Sequence, residues 1–316
     1  MLETRIEDIQ QYLNKLYLAS DKKSKNIIVE GLIAEGEKAM DIYNWDEAFD
    51  YFQKALTLAS GKQKAIILNR LSRSYYVIGN LDKAKENLEE SLKITIEVKD
   101  LLGQASTLGN LGMVYQTRGE LDKAVKYHED ALNIDREIGN KEGEASDFGN
   151  LGNVYQVRGE LDKAVKYYED ALKLNQELGR KEGMAIQLGN LGIVYQIRGE
   201  LDKAVKYHED ALKLNQELGR KEGMANALGN LGIVYQTRGE LDKAVKYHED
   251  ALKLNQELGS KRGMANQFNN LGSVFETKGQ KEKALGYYED ALRLFTQIGA
   301  QREIEIVKGN IKKLTG

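Results

Sequence analysis

Gly109-Asn110-Leu111-Gly112 recurs at Gly149-Asn150-Leu151-Gly152, Gly189-Asn190-Leu191-Gly192 and Gly229-Asn230-Leu231-Gly232, and Asn269-Asn270-Leu271-Gly272 is a near copy. Each copy stands forty residues after the last, with no slip in register. Behind each come a Tyr or Phe, a turn glycine, and Leu-Asp-Lys-Ala or a relative of it. A fixed period in this range marks a solenoid, in which each unit buries its apolar face only against its neighbours. A chain of 316 residues would otherwise suggest two globular domains.

Outward from the motif, each unit reads as helix, turn, helix, turn. In the third unit the first helix ends at Gly119, because glycine takes the left-handed closing conformation cheaply. Glu120-Leu121-Asp122 opens the second helix with the acidic residues that the helix dipole favours, and that helix stops at Gly139. Regular units begin near Asp100, Asn140, Arg180, Arg220 and Ser260. Asp100, Asn140 and Ser260 are good N-caps; Arg180 and Arg220 are poor ones, so those starts are expected to fray. Two less regular units precede them, Ile27 to Ser60 and about Lys62 to Asp100. The units from Ala185 and Ala225 are nearly identical. They differ at Ile186/Asn226, Gln187/Ala227, Ile197/Thr237, Arg220/Ser260 and Glu222/Arg262. Recent duplication explains such identity, so recurrence here is weak evidence of selected function.

The ends read as caps. Ile6, Ile9, Leu13, Leu16 and Tyr17 fall at helical spacing, so residues 2–20 form an amphipathic helix expected to cover the first unit, with Asp21 to Lys25 as a polar connector. Gln301 to Leu314 repeats a first helix without its partner, and Ile304, Val307, Ile311 and Leu314 are its buried stripe. The expected organisation is residues 1–24 for the N-terminal helix and connector, 25–299 for the repeat array and 300–316 for the C-terminal capping helix. The absence of proline fits an all-α chain.

Leu111, Gly112, Tyr115, Gly119, Ala124 and Ala131, at these offsets, resemble tetratricopeptide repeats over roughly residues 27–316. The usual unit is about thirty-four residues; this one is longer. The extra length, Tyr127-His128-Glu129 and the Leu-Gly turns resemble the type seen in Pins-like polarity adaptors and kinesin light chains. Two departures stand out: no proline ends the second helix, and the usual tryptophan column holds Leu108, Phe148, Leu188, Leu228 and Phe268. The fold expected is an all-α, right-handed superhelical solenoid of about seven helix-turn-helix units with a capping helix at each end. The resemblance implies that first helices line its concave groove.

A helical wheel separates the faces of those first helices. In the third unit Leu108, Leu111, Gly112 and Tyr115 form the packing face, and Ser106, Asn110, Met113 and Thr117 stand opposite. The corresponding sets are Ser146, Asn150, Asn153, Val157; Ile186, Asn190, Ile193, Ile197; Asn226, Asn230, Ile233, Thr237; and Asn266, Asn270, Ser273, Thr277. These sets carry no Lys or Glu, although both abound elsewhere. Branched apolar residues pointing away from the packing stripe, framed by polar groups, indicate a contact surface; the alternative is burial against the next unit. Asparagine is a mediocre helix former, but its amide both donates and accepts and can bracket a peptide bond. Asn110, Asn150, Asn190, Asn230 and Asn270, continued by Asn310, would form a ladder that related adaptors also use. The alternative is that each Asn bonds the backbone of the adjacent repeat and merely fixes the stacking. The candidate groove is therefore this ladder with Asn153, Val157, Ile186, Ile193, Ile197, Asn226, Ile233 and Thr237.

Other chemistry is not indicated. The net charge is −3, with 46 basic and 49 acidic residues evenly spread, whereas nucleic-acid binders carry a basic stripe. No apolar run has the length of a membrane span, and the N-terminus lacks the apolar core of a signal peptide, so a cytoplasmic location is expected. There is no cysteine. His128, His208 and His248 share a place with Tyr168, so that place wants a large amphipathic filler, and no metal site is expected. Gly-Asn-Leu-Gly lacks the phosphate-loop pattern and lies within a helix. No nucleophile has an evident base, and neither catalytic residues nor a cofactor are expected. The function expected is a scaffold that binds an extended or helical segment of another protein or peptide, not nucleic acid or membrane. A carboxylate clamp is not expected, because Arg70 is the lone basic residue in the ladder column. Two alternatives stay open: a self-associating structural solenoid, hence a homo-oligomer, and a peptide-sensing regulator acting on a partner in trans.

Overall fold

The computed structural model describes residues 22–41 and 44–315. Among them are fifteen helices and no strand: α1 (Lys22–Asp41), α2 (Trp45–Leu58), α3 (Gly61–Val77), α4 (Leu81–Glu97), α5 (Leu101–Thr117), α6 (Leu121–Glu137), α7 (Lys141–Val157), α8 (Leu161–Glu177), α9 (Lys181–Ile197), α10 (Leu201–Glu217), α11 (Lys221–Thr237), α12 (Leu241–Glu257), α13 (Lys261–Thr277), α14 (Lys281–Gln297) and α15 (Gln301–Thr315). They form seven helix pairs and a final single helix, as the repeat requires. The helix expected over residues 2–20 lies outside the described residues. α1 starts at Lys22, inside the stretch read as a polar connector.

The chain divides into two compact units, one up to Val154 and one from Tyr155. In the first, Val29, Leu32, Ala48, Phe52 and Ile67 form one core, and Ala84, Leu88, Leu111, Tyr115 and Ala124 form the next. In the second, Leu231, Tyr235, Ala244 and Val274 form one core, and Leu271, Phe275, Tyr288, Phe295, Ile304 and Val307 close the C-terminal end. Ile304 and Val307 are thus buried as the stripe predicted, while Ile311 and Leu314 are half-buried.

The hairpins are built by one recurring turn. Gly119 has φ 77°; its N–H donates to Gln116 O and the next N–H, of Glu120, donates to Tyr115 O, both at 2.9 Å. This pair of bonds satisfies the last free carbonyls of α5. The carbonyl of Glu120 then accepts from Ala124 N–H at 3.1 Å and starts α6, so three residues end one helix and begin another. Lys99 occupies the equivalent place at the end of α4, and it is the one non-glycine residue with positive φ, 55°, among those described. Lys99→Gly is expected to raise stability by up to about 1 kcal/mol, since the left-handed strain of a side chain outweighs the chain entropy glycine loses. An increased urea midpoint at unchanged slope checks this.

The N-caps divide. Asn140 Oδ1 and Ser260 Oγ accept from the N–H of Gly143 and Gly263, each at 3.2 Å. Asp100 makes no cap bond; its carboxylate instead accepts from Lys62 Nζ at 3.0 Å. α9 and α11 have no side-chain cap, but they begin in the same register as α7 and α13. Met184 and Met224 N–H bond the carbonyls of Arg180 and Arg220 at 3.0 Å, so these starts have the backbone bond of the capped helices and lack only the side-chain one.

Each first helix packs tightly on its partner at the second glycine of the motif. A Cβ on Gly192 would lie 2.5 Å from His208 Cε1, and one on Gly232 2.6 Å from His248 Cε1. The three histidines are fully buried, and Tyr168 and Tyr288 fill the same place, their hydroxyls donating to Gln156 Oε1 and Glu276 Oε2 at 2.7 and 2.6 Å. Stacked rings such as Tyr195 on Tyr207, with centroids 5.2 Å apart, complete each pair. Arg198–Asp162, Arg238–Asp202 and Lys278–Asp242 link consecutive pairs of the second unit. Their carboxylates are almost fully exposed, so these bridges fix register more than they add stability.

Candidate functional site

In the second unit, first helices α9, α11 and α13 touch in succession. Their outward faces enclose a groove of about 630 Å³. Its walls are Ile186, Asn190 and Ile193 from α9, Asn226, Asn230 and Ile233 from α11, and Asn266 and Asn270 from α13. The floor is made by Gly189, Ala227, Gly229 and Gln267, with His208 and Asn215 of α10 beneath. The corresponding hollow in the first unit, between Ile66, Asn69, Arg70 and Ser106, holds about 120 Å³. Of these two hollows between first helices, the one in the second unit is the larger.

The groove brings together Asn190, Asn230, Asn270, Ile186, Ile193, Asn226 and Ile233 of the residues predicted. Ile197, 57% exposed, and Thr237, whose hydroxyl donates to Ile233 O at 2.9 Å, stand outside it. Val157, 62% exposed, is likewise not part of it. Asn110, Asn150 and Asn153 belong to the first unit.

The asparagines do not act alike. Asn110 Nδ2 donates to Asn69 Oδ1 at 2.9 Å, and Asn69 in turn donates to Ser91 Oγ and Thr107 Oγ1 at 2.7 and 2.8 Å. At that position the amide is engaged by the adjacent repeat, through a side chain and not through the backbone. Asn310 Nδ2 reaches Asn269 Oδ1 at 3.4 Å, and Asn190 Nδ2 reaches Gln187 Oε1 at 3.5 Å. Asn230 and Asn270 are half-buried, and among the described residues their amides have no hydrogen-bond partner. A half-buried amide facing a groove keeps its donors and acceptor available to a ligand.

The groove is electrically quiet. Arg220 and Glu222 sit at its rim, and Arg220 is paired with Glu182 at 2.9 Å. Burial pushes the pKa of His208 down to about 4, so the ring is neutral at pH 7. Arg70, in the ladder column of the first unit, is neutralised by Glu37 at 2.6 Å.

Sequence reasoning missed a buried polar column one residue ahead of the packing leucines. It runs Thr107, Asp147, Gln187 and Gln267, all buried, with Ala227 as its apolar member. Gln267 Oε1 is 2.9 Å from His248 Nδ1. Asp147 is pushed up to about 8, first by burial and then by neighbouring Asp135, whose own carboxylate accepts from Asn140 Nδ2 at 2.8 Å. The signal was present in the Gln187/Ala227 difference between two nearly identical units, but a polar residue beside a core leucine reads as surface on a wheel.

Among the described residues, no cluster of His, Asp and Glu is arranged to hold a metal ion. None of the described helices is long and apolar enough to cross a membrane.

The tetratricopeptide repeat profile matches residues 63–137, 145–217 and 223–297. No curated protein matches the chain. Among solved structures, BtubC (BKLC) from P. vanneervenii is similar at 24% identity over 69% of this chain and 92% of that one, with a TM-score of 0.62. A Rap protein complexed with competence and sporulation factor superposes at a TM-score of 0.67 and 14% identity, over 98% of this chain and 92% of its own. The nearly identical TPR-like repeats of a putative kinesin light chain from Podosopora anserina give 0.51 at 20% identity, over 61% of this chain and 95% of theirs. At these identities the likeness is one of fold. The profile covers well over half of the residues, and the chain belongs to the tetratricopeptide repeat family.

Proposed function

We propose that the groove of the second unit binds an extended segment of another protein, and that the chain is a binding scaffold without catalytic activity. The observation that carries this is the pairing of unpartnered amides with half-exposed isoleucines in one groove whose charges stand only at the rim: Asn230 and Asn270 beside Ile186, Ile193 and Ile233. Amides spaced along a groove can bracket the peptide groups of an extended chain, and the isoleucines supply apolar anchorage for alternate side chains. A helix in the groove would satisfy its own backbone and leave those amides unused, which favours an extended ligand.

Peptides selected from a random library on the wild-type chain test this against Asn190→Ala/Asn230→Ala/Asn270→Ala. The variant is expected to keep its helicity and melting temperature and to bind the selected peptides at least about tenfold more weakly, since each lost hydrogen bond is worth about 1 kcal/mol. Unchanged affinity would refute the reading, and a large loss of melting temperature would return these asparagines to a stacking role.

A second reading is a regulator whose bound peptide alters its action on a partner in trans. One fold neighbour, the Rap protein, was solved with competence and sporulation factor bound. That neighbour supports the reading by analogy of fold alone.

A further inference from the structure

The floor of the groove has a gap where the repeats on either side carry a glutamine. Gln267 stands nineteen residues after His248, and its Oε1 lies 2.9 Å from His248 Nδ1. The residue nineteen after His208 is Ala227. His208 has no partner on either ring nitrogen, although it is fully buried. Asn215, 4% exposed, leaves its Oδ1 unpartnered as well while its Nδ2 donates to Ala211 O at 2.8 Å. Both side chains border the groove. The glycines above record the same gap: a Cβ on Gly229 would come within 2.9 Å of the Gln267 amide, whereas one on Gly189 would meet nothing within 4 Å.

We infer that this gap is a specificity subsite for an uncharged carboxamide side chain, Gln or Asn, of the bound segment, seated over Gly189 and Ala227 with its oxygen accepting from the His208 ring. This rests on the reading of the groove as a peptide site and adds what the groove selects. The chain itself supplies the template, because Gln267 places a carboxamide against a histidine in the next repeat. It also supplies the counter-example. Asp147 puts a carboxyl in this column of the first unit, and burial with Asp135 pushes its pKa up to about 8. Burial is the larger of the two causes, and it disfavours Glu or Asp from a ligand in the second unit too, although Asn215 stands there in the register of Asp135. The rim offers no free cation to offset that cost, since Arg220 is engaged by Glu182. An apolar side chain would leave the buried His208 nitrogens unpaired, which a carboxamide corrects.

Propionamide and propionate, titrated separately into the full chain and followed by the ring-nitrogen resonances of His208, test the subsite without any peptide. Propionamide is expected to shift them in the wild type, propionate is not, and Ala227→Gln is expected to abolish the response because its own amide fills the place. Glutamine occupies this column in both neighbouring repeats, so the variant is compatible with the fold. No shift, an equal shift with propionate, or a response that survives in Ala227→Gln would overturn the inference, as would a gap occupied by ordered water alone that propionamide does not displace. Library peptides provide the second arm. Binders of the wild type are expected to share one Gln or Asn whose replacement by Glu or Leu weakens binding about tenfold or more, and Ala227→Gln is expected to erase that preference. Groove-dependent binders with no such residue would overturn the subsite and leave the groove reading standing. Binders indifferent to Asn190, Asn230 and Asn270 would overturn the groove reading, and the propionamide titration would still decide the subsite.

Discussion

Acidification from pH 6.5 to 4 is expected to cost the fold several kcal/mol through its buried histidines. His128 and His208 are fully buried with both ring nitrogens unpartnered, and burial pushes the pKa of each down to about 4. The unfolded chain takes up their protons near pH 6.5 and the folded chain does not until pH 4. In that window the unfolded state binds more protons, so stability falls as pH falls. The shift corresponds to about 3 kcal/mol for each of the two histidines. His248 moves in the same direction, with burial as the main cause and its bond to Gln267 opposing. Asp147 works against them. Its folded carboxyl holds a proton up to about pH 8, so its ionisation removes stability as pH rises from its unfolded value towards 8, and acidification restores it. Two histidines outweigh one aspartate below pH 6.5, while above it Asp147 acts alone. Maximum stability is therefore expected near pH 6.5, with a loss on either side.

Urea midpoints measured from pH 4 to 8.5 check both limbs. His128→Tyr/His208→Tyr is expected to flatten the acid limb, because tyrosine already fills this place at Tyr168 and Tyr288 with its hydroxyl bonded to the preceding helix. Asp147→Asn is expected to flatten the alkaline limb. An acid limb with the same slope in the double variant would mean that these rings are hydrated or paired in solution, and the explanation from burial would fail.

What the sequence could reveal follows from what repeats. The helix pairs, the Gly119-type turns and the packing face of Leu111, Gly112 and Tyr115 recur with the period, because every unit solves the same packing problem. The groove was legible for the same reason as far as Asn190, Asn230, Asn270, Ile186 and Ile233, since outward positions are fixed by helix geometry. Position on a wheel does not give a side chain's partners. Asn110 and Asn230 occupy one register, but Asn110 has Asn69 within 2.9 Å because the second helix-turn-helix repeat carries an asparagine there, whereas Asn230 faces Asn190 and Asn270 across an open groove. Asp100 shows the same limit: a good N-cap by type, it is taken by Lys62 of the preceding unit. Individual departures from the repeat, of which Ala227 is the clearest, become informative only when the residues around them are in view.

The two glycines of one Gly-Asn-Leu-Gly motif are expected to respond oppositely to the same substitution. Alanine is favoured over glycine in a helix interior by about 1 kcal/mol, so with nothing else involved both changes would stabilise. At Gly192 the added methyl would lie 2.5 Å from the ring of His208, a rigid, fully buried group packed against this helix. Overpacking of a closed core costs about 1 to 3 kcal/mol and exceeds the helix gain, so Gly192→Ala is expected to lower the urea midpoint and to speed amide exchange in α9 and α10 before the rest of the unit, as neighbour-coupled repeats allow. At Gly189 the methyl would meet nothing within 4 Å, and Gly189→Ala is expected to stabilise by up to about 1 kcal/mol. Equal stabilisation by both would show that the His208 ring yields and that close helix approach does not require Gly192. Because Gly189 borders the groove floor, the same methyl occupies ligand space, so the variant that strengthens the fold is expected to bind groove peptides more weakly. Stability and binding would then separate at one position, which a glycine kept only for stacking could not produce.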